Sequence, residues 1–287
     1  MKVRRAYRAG SFYPADGQGC RELIAECLDA YQPPAEPPRV VAGIVPHAGW
    51  VFSGPTAAKV FRSVKDKAAP QTFVIFGAVH VWGMGRQAAL CAEGEWETPC
   101  GNAVIDHELA AEILKACPKL VADEPSAHTR EHSIEVQIPF IQYLFPAAQI
   151  VPIMVNPDHH AVDIGRHVGE RLASYPKPVV VLGSTDLTHY GPSFDFTPDG
   201  IGAASLAPMK ANDQRIIDLI ASMQAEAVLA EADEHRNACG AGAIAATIAA
   251  AKALGAARGY LLEHTTSQDV MPERPASDFV GYAGMIF

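Results

Sequence analysis

Three histidines stand just beyond buried-strand patterns: His47 two residues after the apolar run ending at Val45, His80 four after the one ending at Phe76, and His189 seven after the one ending at Leu182. Imidazole is a common metal ligand and a proton carrier near neutral pH. A single histidine beside an element end is most often a hydrogen-bonded fold residue. Three at equivalent strand ends are a stronger signal, because open α/β sheets bind ligands in the crevice outside the carboxyl ends of their strands. His107, His128, His159, His160, His167, His235 and His264 show no such pattern and read as surface or structural residues, with Asp158-His159-His160 as an exposed turn.

Cys239 is set apart from the other five cysteines because Asn237-Ala238-Cys239-Gly240 opens an Ala-rich helical pattern. The aligned backbone dipoles of a helix start favour a thiolate, the form needed for metal binding or nucleophilic attack; the plain alternative is a small buried thiol. No C-x-x-C pair is present, so neither a zinc ribbon nor a redox motif is indicated. Gly240-Ala241-Gly242 with Ala245 fits a loose dinucleotide fingerprint, but the polar stretch 231–237 stands where a strand is required.

Two acid–imidazole spacings add candidates. Asp186 lies three residues before His189, where it can orient the ring by hydrogen bonding or simply cap a turn. His132 and Glu135 are also three apart, and a helix there puts both on one face. Their apolar neighbours imply a polar pocket for that face, and Pro139 would restart or kink the helix.

The elements that must position these side chains alternate along the chain. Strands are predicted over 40–45, 72–76, 150–155, 178–182, 259–263 and 279–287, near-continuously apolar as in strands buried on both faces. Helices are predicted over 20–31, 55–64, His107–Ala116, 131–144, 161–174, 213–234 and 240–254. Residues 33–38 form a proline-rich connector, and the weakly periodic 193–210 has the length of a functional loop. This alternation predicts an α/β fold with helices on both faces of the sheet, in a single domain spanning 1–287.

With 287 residues, 49% of them hydrophobic and 19% charged, the chain has material for a large core. Its 23 basic and 32 acidic residues give a charge of -9, which opposes nucleic-acid or anionic-membrane partners. The first residues carry Arg4, Arg5 and Arg8 with no apolar stretch behind them, and the apolar run 238–251 is too short to span a bilayer, so the expected location is the cytoplasm.

In order along almost the whole chain, several segments resemble the Memo-like protein family, which is related to the class III extradiol ring-cleavage dioxygenases. They are Gly10-Ser11-Phe12-Tyr13-Pro14, Pro46-His47-Ala48-Gly49-Trp50 with Ser53-Gly54, Gly77 to His80, Glu131-His132-Ser133-Ile134-Glu135, Ser184-Thr185-Asp186 through His189, Cys239-Gly240, and Val280-Gly281-Tyr282-Ala283-Gly284. The resemblance implies a three-layer α/β/α fold with a mixed, largely parallel central sheet. It implies that His47, His80 and Cys239 surround an iron or copper ion, zinc being the alternative, while His189 and Asp186 complete the pocket. By analogy with the dioxygenases, His132 and His189 are the acid/base residues, with Glu135 a further pocket residue. The sequence departs from the commoner family pattern at Val81, where many relatives have a second histidine, and at Ala78-Val79, where Pro-Ser is usual. The pocket is therefore more apolar than in those relatives.

Three functions compete on this basis. One is a metal-dependent redox enzyme in which iron or copper activates oxygen or a small organic substrate and His189, oriented by Asp186, moves protons. A true extradiol dioxygenase holds ferrous iron with two histidines and a carboxylate, whereas here the third ligand is a thiolate, so ring cleavage does not follow from kinship. The second is a non-enzymatic binding or metal-handling protein whose pocket holds a peptide, a small acid or the metal itself, with a protein partner conceivable. The third is a hydrolase with Cys239 as nucleophile, His189 as base and Asp186 as orienting acid.

Overall fold

Apolar, β-branched runs bury both faces of a strand only if helices cover both sides, and this requirement organises the chain. The computed structural model describes residues 2–29, 31–32, 36–81 and 84–287. Its strands are β1 (Val3–Arg4), β2 (Ala42–Val45), β3 (Thr72–Gly77), β4 (Ala88–Leu90), β5 (Glu95–Thr98), β6 (Gly101–Val104), β7 (Val121–Asp123), β8 (Gln149–Val155), β9 (Val179–Ser184), β10 (His189–Tyr190), β11 (Tyr260–Thr266) and β12 (Phe279–Ile286). The helices are α1 (Gly17–Asp29), α2 (Trp50–Lys67), α3 (His107–Ala116), α4 (Ile138–Leu144), α5 (His160–Ala173), α6 (Leu206–Ala221), α7 (Ala225–His235), α8 (Ala241–Ala253) and α9 (Ser267–Val270).

The large sheet runs β10-β12-β2-β9-β3-β8-β4-β7, with β11 on the flank of β12, and β1, β5 and β6 form a small second sheet. Strands β2, β9, β3 and β8 are mutually parallel, whereas β12 runs antiparallel to β2 and β4 antiparallel to β8. Side chains alternate across this sheet with the period of two that strand geometry dictates. Val74, Phe76, Val151, Ile153 and Val181 join one core with Ile113, Ile164 and Ile244 of α3, α5 and α8. Phe73, Ile75, Ile150, Met154 and Leu182 join the other with Ile24, Phe61 and Phe140 of α1, α2 and α4. The architecture is therefore a mixed α/β sandwich of three layers, as expected.

Helix α8 is buried on nearly every side, which its Ala-rich sequence permits. It lies between the sheet and α5, and a Cβ added at Gly165 of α5 would fall 2.1 Å from the Ala246 carbonyl oxygen. That close approach fixes where the start of α8, and Cys239 just before it, sits against the end of β9.

Several expectations are corrected. The helix expected over 131–144 begins only with a short 3-10 turn at Glu135–Gln137 and continues as α4. Glu131 instead folds its carboxylate back onto the amides of His132 and Ser133, a local bond that competes with helix formation. The helix expected over 213–234 is two helices, broken at Met223, whose φ is 60°. The first of them starts at Leu206, inside the expected loop 193–210. The connector 33–38 lies partly outside the described residues. Strands β1, β4–β7 and β10 were not expected; they are two to four residues long, too short to show a period. Among the described residues no helix is long and apolar enough to cross a membrane.

Gly165→Ala forces backbone against backbone, so α5 and α8 must separate. The expected result is a loss of about 1–3 kcal/mol in urea unfolding, against less than 1 kcal/mol for an exposed alanine substitution such as Lys115→Ala on α3.

Candidate metal centre

The parallel core strands end side by side, and the residues that follow them meet above the sheet edge. Val45 pairs with Ser184 in register, so Pro46-His47 and Thr185-Asp186 leave the sheet together. Asp186 ties the two ends: its Oδ1 accepts from the backbone amides of His47 at 2.7 Å and Ala48 at 3.2 Å. His80 follows β3 on the adjacent side, and His132 arrives on the loop before α4. The candidate ligand nitrogens of His47, His80 and His132 all lie within 4.8 Å of one another. Their rings form one group, with centroid separations of 5.2, 5.4 and 4.8 Å.

Cys239 joins them from the α8 side. Its Sγ is 3.2 Å from Nε2 of His47 and accepts from the Asp186 amide at 3.3 Å. Metal bonds of about 2.0–2.3 Å place donors around one ion roughly 3–4 Å apart, so this cluster has the right scale. The three imidazoles are close enough to hold one ion together, and the thiol adjoins them at His47.

Hydrogen bonds behind the rings decide which nitrogens are free. Ser184 Oγ donates to the Ser133 carbonyl at 2.7 Å and accepts from Gln137 Nε2 at 3.1 Å. Its single proton is thus committed, and the Nδ1 of His47, 3.1 Å away, must be the donor to it. Nε2 of His47 is the nitrogen turned to the Cys239 sulfur. Glu131 does the same for His80: Oε2 accepts from the His80 amide, and Oε1 lies 3.1 Å from the ring Nδ1. With the amides of His132 and Ser133 also on Oε1, this buried carboxyl is held well below the usual range although burial alone would raise it.

The electrostatics of the donors follow. Burial pushes the Cys239 thiol up, but the His47 ring and then His80 outweigh it and bring the thiol down to about 6. Burial disfavours protonated His80, yet Cys239 and Glu131 raise it to about 10. Without metal the pair is therefore thiolate and imidazolium at neutral pH. His132 is pushed down to about 3, first by burial and then by the charge of His47, so it stays neutral and able to donate a lone pair.

Other expected site residues fall differently. His189 lines the cavity, but its Nδ1 lies on the Leu187 carbonyl at 3.1 Å. Asp186 spends Oδ1 on the amides of His47 and Ala48, which follow β2, and is not hydrogen-bonded to the His189 ring among the described residues; burial pushes its carboxyl above the ordinary range. Glu135 does not share a face with His132 and does not line the cavity. It is buried against the amino-terminal segment, accepting from the amides of Tyr7 and Arg8, the Tyr13 hydroxyl and Arg4. Val81, at the position of the family's second histidine, is partly buried against the apolar cluster. The exposed turn Asp158-His159-His160 brings its donor atoms close together as well, at the start of α5.

Sequence reasoning missed Glu131, Ser184 and Gln137 as the groups that hold the ligands. Glu131 carries the one local signal, an acid directly before a histidine. Above the cluster opens a cavity of about 670 Å³, within the range for small-molecule sites.

The family model described as Memo-like protein matches residues 4–286. Among curated relatives, a MEMO1 family protein of Methanopyrus kandleri is 36% identical, covering 97% of this chain and 96% of its own. Those of Pyrococcus abyssi and Thermococcus kodakarensis are 37% and 38% identical, each covering 99% of both chains. In fold, the chain is similar to the crystal structure of an uncharacterized protein from Escherichia coli K12, with a TM-score of 0.55 at 12% identity, covering 87% of this chain and 100% of that one.

In metal-stripped protein, ultraviolet thiolate absorbance of Cys239 is expected to appear as pH rises through about 6 and to move up in His47→Ala. The sign for stability follows: because the folded value lies below that of a free thiol, the thiolate stabilises the fold above the free-thiol range and that stabilisation is lost as pH falls through about 6. A transition in the ordinary thiol range would contradict the placement of His47 beside the sulfur.

Proposed function

Since the chain belongs to the Memo-like protein family, we propose that it is a metal-dependent redox enzyme that holds one iron or copper ion in the His47, His80, His132 and Cys239 cluster and acts on a small organic substrate or oxygen. One observation carries this reading: the nitrogens of three histidines from separate segments gather within 4.8 Å of one another, with the Cys239 sulfur 3.2 Å from one of them. His47 and His80 each have Nδ1 engaged by a partner that is itself fixed. A fold that only needed hydrogen-bonded histidines would not gather their donor atoms at one point.

The donor set fits the ion. Imidazole suits iron, copper and zinc, and thiolate favours the softer or more oxidised members. Once bound, such an ion supplies Lewis acidity and electron exchange to a ligand in the cavity. The chain's own residues do the rest. Glu131 keeps its charge and balances the positive centre; Ser184 and Gln137 lock the His47 ring; Asp186 clamps the strand ends that carry His47. His132, neutral down to about pH 3, keeps its lone pair for the ion, and His189 at the cavity wall can take a proton from a bound substrate hydroxyl.

A second reading, a hydrolase with Cys239 as nucleophile, draws support from the thiolate. The ring in contact with that sulfur is His47, not His189, so His47 would be its base. Alkylation of metal-loaded protein separates the two: a coordinated sulfur reacts slowly, a catalytic nucleophile fast. A third reading, metal handling or binding without turnover, uses the same donors and predicts metal content with no substrate conversion.

Protein purified without oxygen is expected to contain close to one redox metal per chain, and His47→Ala to lose it while keeping its thermal transition. Metal-free protein with an intact fold would count against the proposal. Glu131→Gln keeps every ligand but removes the charge behind His80, and metal affinity measured by competition with a chelator is expected to fall about 10–100-fold.

A further inference from the structure

The cavity over the cluster has a wall that the metal reading does not use. Phe12, Val51, Phe52 and Phe194 line it, and among the described residues Arg274 is the one lysine or arginine that does so. The Arg274 guanidinium rests on the face of Phe52, 5.2 Å from the ring centroid, and forms no ion pair among the described residues. The acid beside it on this rim, Asp278, is engaged elsewhere: Oδ1 accepts from the Ser193 amide and Oδ2 from the Ser277 hydroxyl. In a chain of net charge -9, this cavity thus carries one guanidinium that no carboxylate pairs among the described residues.

The arrangement has a direction. An arginine set over an aromatic ring and without a carboxylate partner can offer its fork, which grips a carboxylate with two parallel hydrogen bonds. A ligand held there lies with its body among Phe12, Phe52 and Phe194 and its far end toward His47, His80 and His132. We propose that the cavity takes a small aromatic carboxylic acid, with Arg274 receiving the carboxylate and the phenyl-lined wall receiving the ring. The proposal rests on the reading of this cavity as the working site, and names its class of substrate.

The test is calorimetry on the protein as purified, with benzoate, phenylacetate and 3-phenylpropanoate, each compared with its neutral primary amide, while metal content is measured on the same samples. At least one acid is expected to bind about ten-fold or more tightly than its amide, the size of one charge-assisted hydrogen bond. Arg274→Gln is expected to abolish that preference with metal content unchanged, and Arg274→Lys to keep part of it, since lysine restores the charge without the fork. Absence of binding by all three acids, equal binding of acid and amide, or an undiminished preference in Arg274→Gln would overturn the proposal. A preference that depends on Arg274 in protein that proves to hold no metal would uphold this inference and defeat the metal reading, so the two can fail separately.

Discussion

Gathering three imidazoles and a thiol at the floor of a cavity, with His47 buried and His80 open to its mouth, is unfavourable unless each has a partner on the side away from the others, and the buried carboxylate of Glu131 meets most of that requirement. It accepts from the His80 ring and from three backbone amides, those of His80, His132 and Ser133. One group therefore sets the orientation of the His80 ring, the path of the loop that carries His132, and a negative charge behind the centre. Ser184 and Gln137 perform the same service for His47 without a charge. The donors differ accordingly: His80 is backed by an anion and lies partly open to the cavity mouth, while His47 is backed by neutral groups and lies at its base.

The sheet makes this arrangement possible because neighbouring parallel strands end at the same level. His47 and His80 follow two of these strands, as was legible in the sequence, since the runs ending at Val45 and Phe76 mark the strands and the histidines follow them; after the run ending at Leu182 it is Asp186 that meets them, and the expected His189 lies farther on, at the cavity wall. Cys239 was legible for a related reason, the switch to an Ala-rich pattern directly after it. The partners behind the ligands were not legible. Glu131, Ser184 and Gln137 act on histidines 51, 137 and 90 positions away in the chain, separations obtained by subtracting the residue numbers, and no local pattern encodes a contact of that range. Glu135 drew attention instead because a continuous helix was assumed over 131–144, and the helix does not form where a side chain satisfies the backbone first.

The fold divides along a similar line. Strands buried on both faces carry dense apolar runs and were read nearly to the residue, as at β3 and β8. The short strands β4, β5, β6 and β7 draw their stability from neighbours rather than from their own composition, so they leave little trace in the sequence. The break between α6 and α7 is also silent: no glycine or proline marks it, and Met223 takes a left-handed backbone because the two helices pack where they do.

Strand β12 joins three parts of the molecule at once, pairing with β10 through Val280, with β11 along most of its length, and with β2 through Met285. Val280 and Tyr282 also form part of the cavity wall. Every candidate ligand, from His47 to Cys239, precedes this strand in the chain. The side chains can therefore come together before the chamber above them is walled, and until β12 is in place their cleft stays open to water.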